Sequence, residues 1–231
     1  MLGAPSFLIE RSHLAALDEI RHARRCYALA SAYAGGPHGP GAFCDLQRGP
    51  GPQRARSAAL AHLASASLID GALGEGVASA VAASAATTVI DPVIRQTWEM
   101  IAVDETRHAE LAWDVIAWCL QEDAPAVAAH LQSAIAALPS RKTPQLPPLP
   151  GISDERFEEL GFVSQPRLEV IVGQVIATTM ARATRLHFVT NAPPDAAVNE
   201  ANEQRGASRS RRSPRAVLQR GTNGTPRSAT S

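Results

Sequence analysis

Eight residues occur almost unchanged twice in this chain. ALDEIRHA at 16–23 and AVDETRHA at 102–109 are identical at six of eight positions and lie 86 residues apart. Residues three apart on an α-helix sit on one face, a turn up. Glu19 with His22, and Glu105 with His108, therefore each project a carboxylate and an imidazole from the same side of a helix. Two such helices facing each other supply two carboxylates and two imidazoles to one point. That oxygen and nitrogen set suits iron or manganese better than zinc, which favours a compact closed tetrahedron. From 13 Glu and 7 His in the chain, chance alone gives ~0.4 occurrences of Glu-x-x-His. Three occur. The third, Glu10 to His13, begins nine residues before Glu19, half a turn out of phase, so it faces away from the others and is assigned no metal role.

The spacing predicts helices over 5–34, 54–88 and 91–122, broken by a Gly/Pro-rich stretch at 35–53. Asp91-Pro92 is a start signal, an N-cap followed by proline in the first turn. The link near Ile90 is short, so the helices on either side are expected to be antiparallel neighbours. The link over 35–53 is long enough to cross the end of a bundle, the wiring of two helix pairs joined by a long crossover. Hydrophobic residues make up 45% and aromatics 4%, so Ala and Leu must do most of the packing and helices are expected to approach closely. A bundle over 1–138, a proline-rich linker over 139–150, a helical appendage over 151–189 packed outside the bundle, and a disordered Arg/Ser-rich tail over 190–231 complete the expected organisation.

A further carboxylate is expected from the helix before Ile90. Glu75 and Glu105 are each fifteen residues from Ile90, so in an antiparallel pair they lie at the same height. Gly71, Gly74 and Gly76 are expected to let the two helices close up there. Asp70, five residues earlier, falls ~140° away on an α-helix and is set aside. Asp18 and Arg21, like Asp104 and Arg107, are i,i+3 pairs that can hold each other. Imidazole ligands usually donate their distal N–H to a carboxylate; Asp18 is placed to serve His108 across the bundle, and Asp104 to serve His22. Trp98, Trp113 and Trp118 are read as packing residues and Cys26 as a core cysteine.

At these residues the chain resembles the ferritin-like di-iron superfamily, whose pattern is Glu, Glu-x-x-His, Glu, Glu-x-x-His on four helices. DEIRH and DETRH are similar to the signature of its oxygen-activating branch. More narrowly, the chain resembles bacterial ferritin-like domain proteins with a Leu-Gly-Ala-Pro segment before the first Glu-x-x-His helix. The resemblance covers about residues 1–122. It implies an all-α, ferritin-like four-helix bundle holding two iron ions, or a manganese and iron pair. Glu19 and Glu105 would bridge the metals, His22 and His108 would be terminal ligands, and Glu75 a terminal carboxylate. The family's first helix has no counterpart in the sequence, and is expected to be missing from it.

Two metal chemistries follow as expectations. One is activation of oxygen or peroxide by an oxidase or oxygenase, with a small-molecule oxidant as partner. The other is oxidation and storage of ferrous iron, with which self-association of like chains is compatible. A scaffold bundle without metal is the third reading. Net charge is zero, which gives no reason to expect nucleic acid. No apolar run approaches the ~20 residues of a membrane span. Three cysteines without a Cys-x-x-Cys pair and the lack of a signal-like start suit a cytoplasmic protein.

Overall fold

The computed structural model of the chain describes residues 2–42, 55–146 and 150–190, with no side chains described for 187–190. The tail over 191–231 and parts of the crossover (43–54) and linker (147–149) lie outside the described residues. Every regular element among those described is helical, and the protein is all-α. α1 spans Ser6–Ala34. α2 (Arg56–Ala66), a π-helical segment (Ser67–Glu75) and α3 (Gly76–Thr88) follow without a break in helical backbone. α4 spans Pro92–Glu122, α5 Ala124–Ala137, α6 Asp154–Glu159 and α7 Gln165–Thr190. No described helix is long and apolar enough to cross a membrane.

Local chemistry explains the boundaries. Asp91 takes an extended conformation and its carboxylate accepts from the amides of Val93 and Ile94, satisfying two of the orphan donors at the start of α4. The preceding turn is held by Ile90, whose amide donates to Glu159 O at 2.9 Å. Asp123 repeats the device by accepting from the Ala126 amide, and so opens α5. The sequence reading gave 123–138 no element of its own. Gly35, at φ +69°, ends α1 in the left-handed conformation that suits glycine.

α4 is the central rod. On one side it packs antiparallel against the α2–π–α3 rod; on another it carries α1, also antiparallel. Leu60, Leu68, Ile116 and Cys119 are fully buried between α2, the π segment and α4, with Val127 and Leu131 of α5 closing that end. A second cluster joins Ala85 of α3 to Leu168, Ile171 and Val172 of α7. Residues 151–189, expected outside the bundle, thus share a core with α3 and belong to one compact unit reaching Thr190.

α1 is held differently. Its only buried side chains are Leu8, Asp18 and His22. Phe7, Ile9, Leu14, Leu17, Ile20 and Tyr27 are exposed. Cys26, expected in the core, is exposed as well; it lies one turn beyond His22, where α4 no longer covers that flank of α1.

Candidate metal centre

The two Glu-x-x-His pairs meet where α1 crosses α4. The rings of His22 and His108 are 6.3 Å apart between centroids. Nδ1 of His22 lies 3.3 Å from a Glu105 oxygen and 3.7 Å from a Glu19 oxygen. Nδ1 of His108 lies 3.1 Å from Glu105 and 3.3 Å from Glu19. Both imidazoles therefore direct Nδ1 to the same two carboxylates. Potential ligand atoms of Glu19, His22 and Glu105 lie within 4.8 Å of one another, and those of Glu75, Glu105 and His108 do likewise. The two trios share Glu105.

The distal nitrogens point the other way. Nε2 of His22 is 3.0 Å from Asp104, and Nε2 of His108 is 3.2 Å from Asp18. A carboxylate can only accept, so each aspartate favours the tautomer with the proton on Nε2, the one that leaves the Nδ1 lone pair to a cation at the centre. Arg21 donates to Asp18 and, at 3.3 Å, to Asp104; Arg107 donates to Asp104 and, at 3.2 Å, to Asp18. Two acids and two guanidiniums thus close a neutral ring around the back of the imidazoles. Burial acts to raise the Asp104 carboxyl, but the hydrogen bonds from His22, Arg107 and Arg21 outweigh it and hold it below the ordinary range.

The inward-facing acids show the reverse. Burial pushes the Glu75 carboxyl up, and the neighbouring Glu105, to which it is hydrogen-bonded, adds to this, taking it to about 7. Burial raises Glu105 also. Crowded, half-buried carboxylates with few cationic partners are what a cation site looks like when only protons relieve the repulsion. A metal ion would do so better, and the donor set fits iron or manganese: oxygens and imidazole nitrogens with no thiolate among them. For the metal-free protein, a carboxylate raised in the fold costs stability as it ionises. The contribution of the protonated Glu75 carboxyl should be fully present below about 4.5, the ordinary value, and be lost as pH rises through about 7. Urea midpoints across that window should show the decline in the metal-free protein and a smaller one in Glu75→Gln.

The π segment changes one expectation. Asp70 was set aside on α-helical geometry, but a π turn holds more residues than an α turn, so residues five apart come nearer to one face. Asp70 and Glu75 line the same groove, about 490 Å³ in volume, which opens between α1 and the π segment and which Glu19 and His108 also border. Asp70 is absent from both ligand trios. Of the three glycines near Glu75, only Gly71 meets α4: a Cβ there would come within 2.4 Å of Ala112 Cβ. Gly76 faces Val175 of α7 and Gly74 faces no atom of α4, because each lies on another side of the rod. His13 is exposed, with its Nδ1 beside the Ile9 carbonyl, and takes no part in the centre. Trp98 and Trp113 meet other elements, Trp98 Nε1 donating to Gly161 O and Trp113 lying under the guanidinium of Arg182.

Comparisons with protein-family models, with curated proteins and with solved structures give no match for this chain.

Proposed function

We propose that this protein is a ferritin-like, dinuclear metal protein that holds two iron ions, or manganese with iron, and activates oxygen or peroxide. The observation that carries the reading is the pair of ligand trios sharing Glu105, with both Nδ1 atoms turned inward and both Nε2 atoms held by aspartates. Glu19 and Glu105 lie between the imidazoles and are suited to contact both ions; Glu75 serves the His108 end. Such ions would supply Lewis-acid and redox chemistry toward a small oxidant. Asp18 and Asp104 would fix the tautomer and aim of each ring, and Arg21 and Arg107 bridge the two aspartates from behind.

The internal repeat supports a finer assignment. Ala16, Ile20 and Ala23 of α1 correspond to Ala102, Thr106 and Ala109 of α4. Ser79 of α3 bonds to the Ala102 carbonyl and the Thr106 hydroxyl, so α3 covers that face of α4. On α1 the same face is open, and Glu19 is 55% exposed where Glu105 is 7%. In this reading a fourth helix with a carboxylate level with Glu19 seats in the groove and plays for His22 the part Glu75 plays for His108.

Anaerobic loading with ferrous iron tests the reading. About two ions per chain are expected, with loss of one or both in His22→Ala and in His108→Ala, and no loss in His13→Ala. Exposure of the loaded protein to peroxide should change its visible absorption. Equal loss from His13→Ala and His22→Ala would sink the assignment.

A further inference from the structure

α1 brings two ligands to the centre but little apolar surface to the fold. Leu8 is its one buried apolar side chain and joins the core cluster at one end; its other links to α4 are spread along its length and are polar. Arg11 pairs with Asp114, Asp18 receives Arg107 and His108, His22 meets Asp104, and near the far end Tyr33 donates to Asp91 at 2.6 Å. Arg11 and Asp114 are 37% and 46% exposed, and Arg21 and Arg107 more than half exposed. A pair exposed on both sides, such as Arg11–Asp114, contributes little and weakens further with salt, whereas the links through Asp18, His22, Asp104 and His108 are buried at the centre itself. The rods α2–π–α3 and α4 are by contrast joined by a closely packed core. The centre straddles this division, with Glu19 and His22 on the weakly held helix and Glu75, Glu105 and His108 on the firmly held rods.

We propose that α1 is latched by metal: in the metal-free protein it exchanges between docked and released states, and an ion bound between Glu19–His22 and Glu105 holds it down. The inference rests on the metal reading above. Its logic is linkage, since an ion that uses ligands from both sides of the α1–α4 seam binds only the docked state and shifts the population toward it. A helix seated in the groove beside α1 would act in the same direction, so a firmly docked α1 without metal counts against the latch.

Hydrogen exchange read by mass spectrometry on the full chain, with Mn(II) content measured in the same samples, tests this. In the metal-free protein, amides of α1 should exchange at least about tenfold faster than those of α4 beside Ile116, and faster again at high salt. Mn(II) should slow α1 by at least about tenfold and leave the amides near Ile116 unchanged. Arg11→Ala touches no ligand. It should speed metal-free exchange of α1 on the order of threefold, the weight of one half-exposed ion pair, and Mn(II) should still slow it. Glu75→Ala should bind less Mn(II) and keep the slowing, whereas His22→Ala should lose the slowing. Mn(II) bound without slowing α1 overturns the latch alone, as does an α1 that already exchanges as slowly as α4 in the metal-free protein. Absence of bound Mn(II) overturns the latch together with the metal reading.

Discussion

Replacing Glu105 by alanine is expected to remove metal from both positions at once. Glu105 belongs to both trios and lies 3.1–3.3 Å from the Nδ1 atoms of both imidazoles. Glu75→Ala removes a donor from one trio only, and should cost one ion and spare the other. Loss of a residue that merely orients a ligand weakens metal affinity by about 10- to 100-fold. Loss of a ligand shared by two ions should exceed that, so Glu105→Ala is expected to bind neither ion at concentrations that saturate the parent. The fold should survive, because in the metal-free protein Glu105 opposes the ionisation of the buried Glu75. Glu105→Gln, which keeps the shape and removes the charge, should unfold at no lower urea concentration than the parent above about pH 7, where the Glu75 carboxyl is otherwise ionised. Metal content by elemental analysis and circular dichroism together decide the matter. One ion retained in Glu105→Ala would show that the two positions do not share it.

The second large effect is expected at Gly71. An added Cβ would come within 2.4 Å of Ala112 Cβ, well inside contact distance, and the atom it meets is the first carbon of a side chain on a rigid helix. Neither rod can yield without opening the core around Leu68 and Ile116. Overpacking a core typically costs about 1–3 kcal/mol and occasionally more; Gly71→Leu, with three further carbons to place, should reach about 3 kcal/mol or beyond in urea denaturation. Gly71→Ala gains up to about 1 kcal/mol in helix propensity, which offsets part of its clash. Combining Gly71→Ala with Ala112→Gly exchanges which rod carries the methyl group and should recover most of the loss. Strict additivity in that cycle would mean that the two residues do not touch.

The residues that meet in the centre were legible in the sequence because helix periodicity ties identity to direction. The octets put Glu19, His22, Glu105 and His108 on facing stripes, and the cross-bundle pairs His22–Asp104 and His108–Asp18 follow from their flanking aspartates. Glu75 was reachable by counting back from Ile90 because all the residues between it and the turn lie in ordinary α-helix. Asp70 stays outside both trios as expected, but it lies within the π segment, where the residues-per-turn assumption breaks, and so borders the groove with Glu75. Nothing in Ser-Leu-Ile-Asp-Gly-Ala-Leu-Gly-Glu announces i→i+5 bonding. Cys26 was misplaced for a related reason. Its phase on α1 matches that of His22, but phase states which side a residue faces and not whether anything lies there. The shared core of α3 and α7 was likewise hidden, since α7's apolar residues do not name their partner.

The aromatic residues divide along the same line as the helices. Both tyrosines of the chain, Tyr27 and Tyr33, are on α1, and all three tryptophans are on α4. The protein thus carries two native optical reporters on different helices, separable by red-edge excitation of tryptophan and by derivative absorbance of tyrosine. Tryptophan emission follows α4 and the elements packed on it, with Trp98 reading the Gly161 loop and Trp113 reading Arg182 of α7. The tyrosine bands of the derivative absorbance follow α1, and the Tyr33 hydroxyl bonded to Asp91 senses whether the far end of that helix is in place. Two melting curves recorded on one unlabelled sample therefore report on the two sides of the seam separately, and their coincidence or separation measures whether the chain unfolds as one unit.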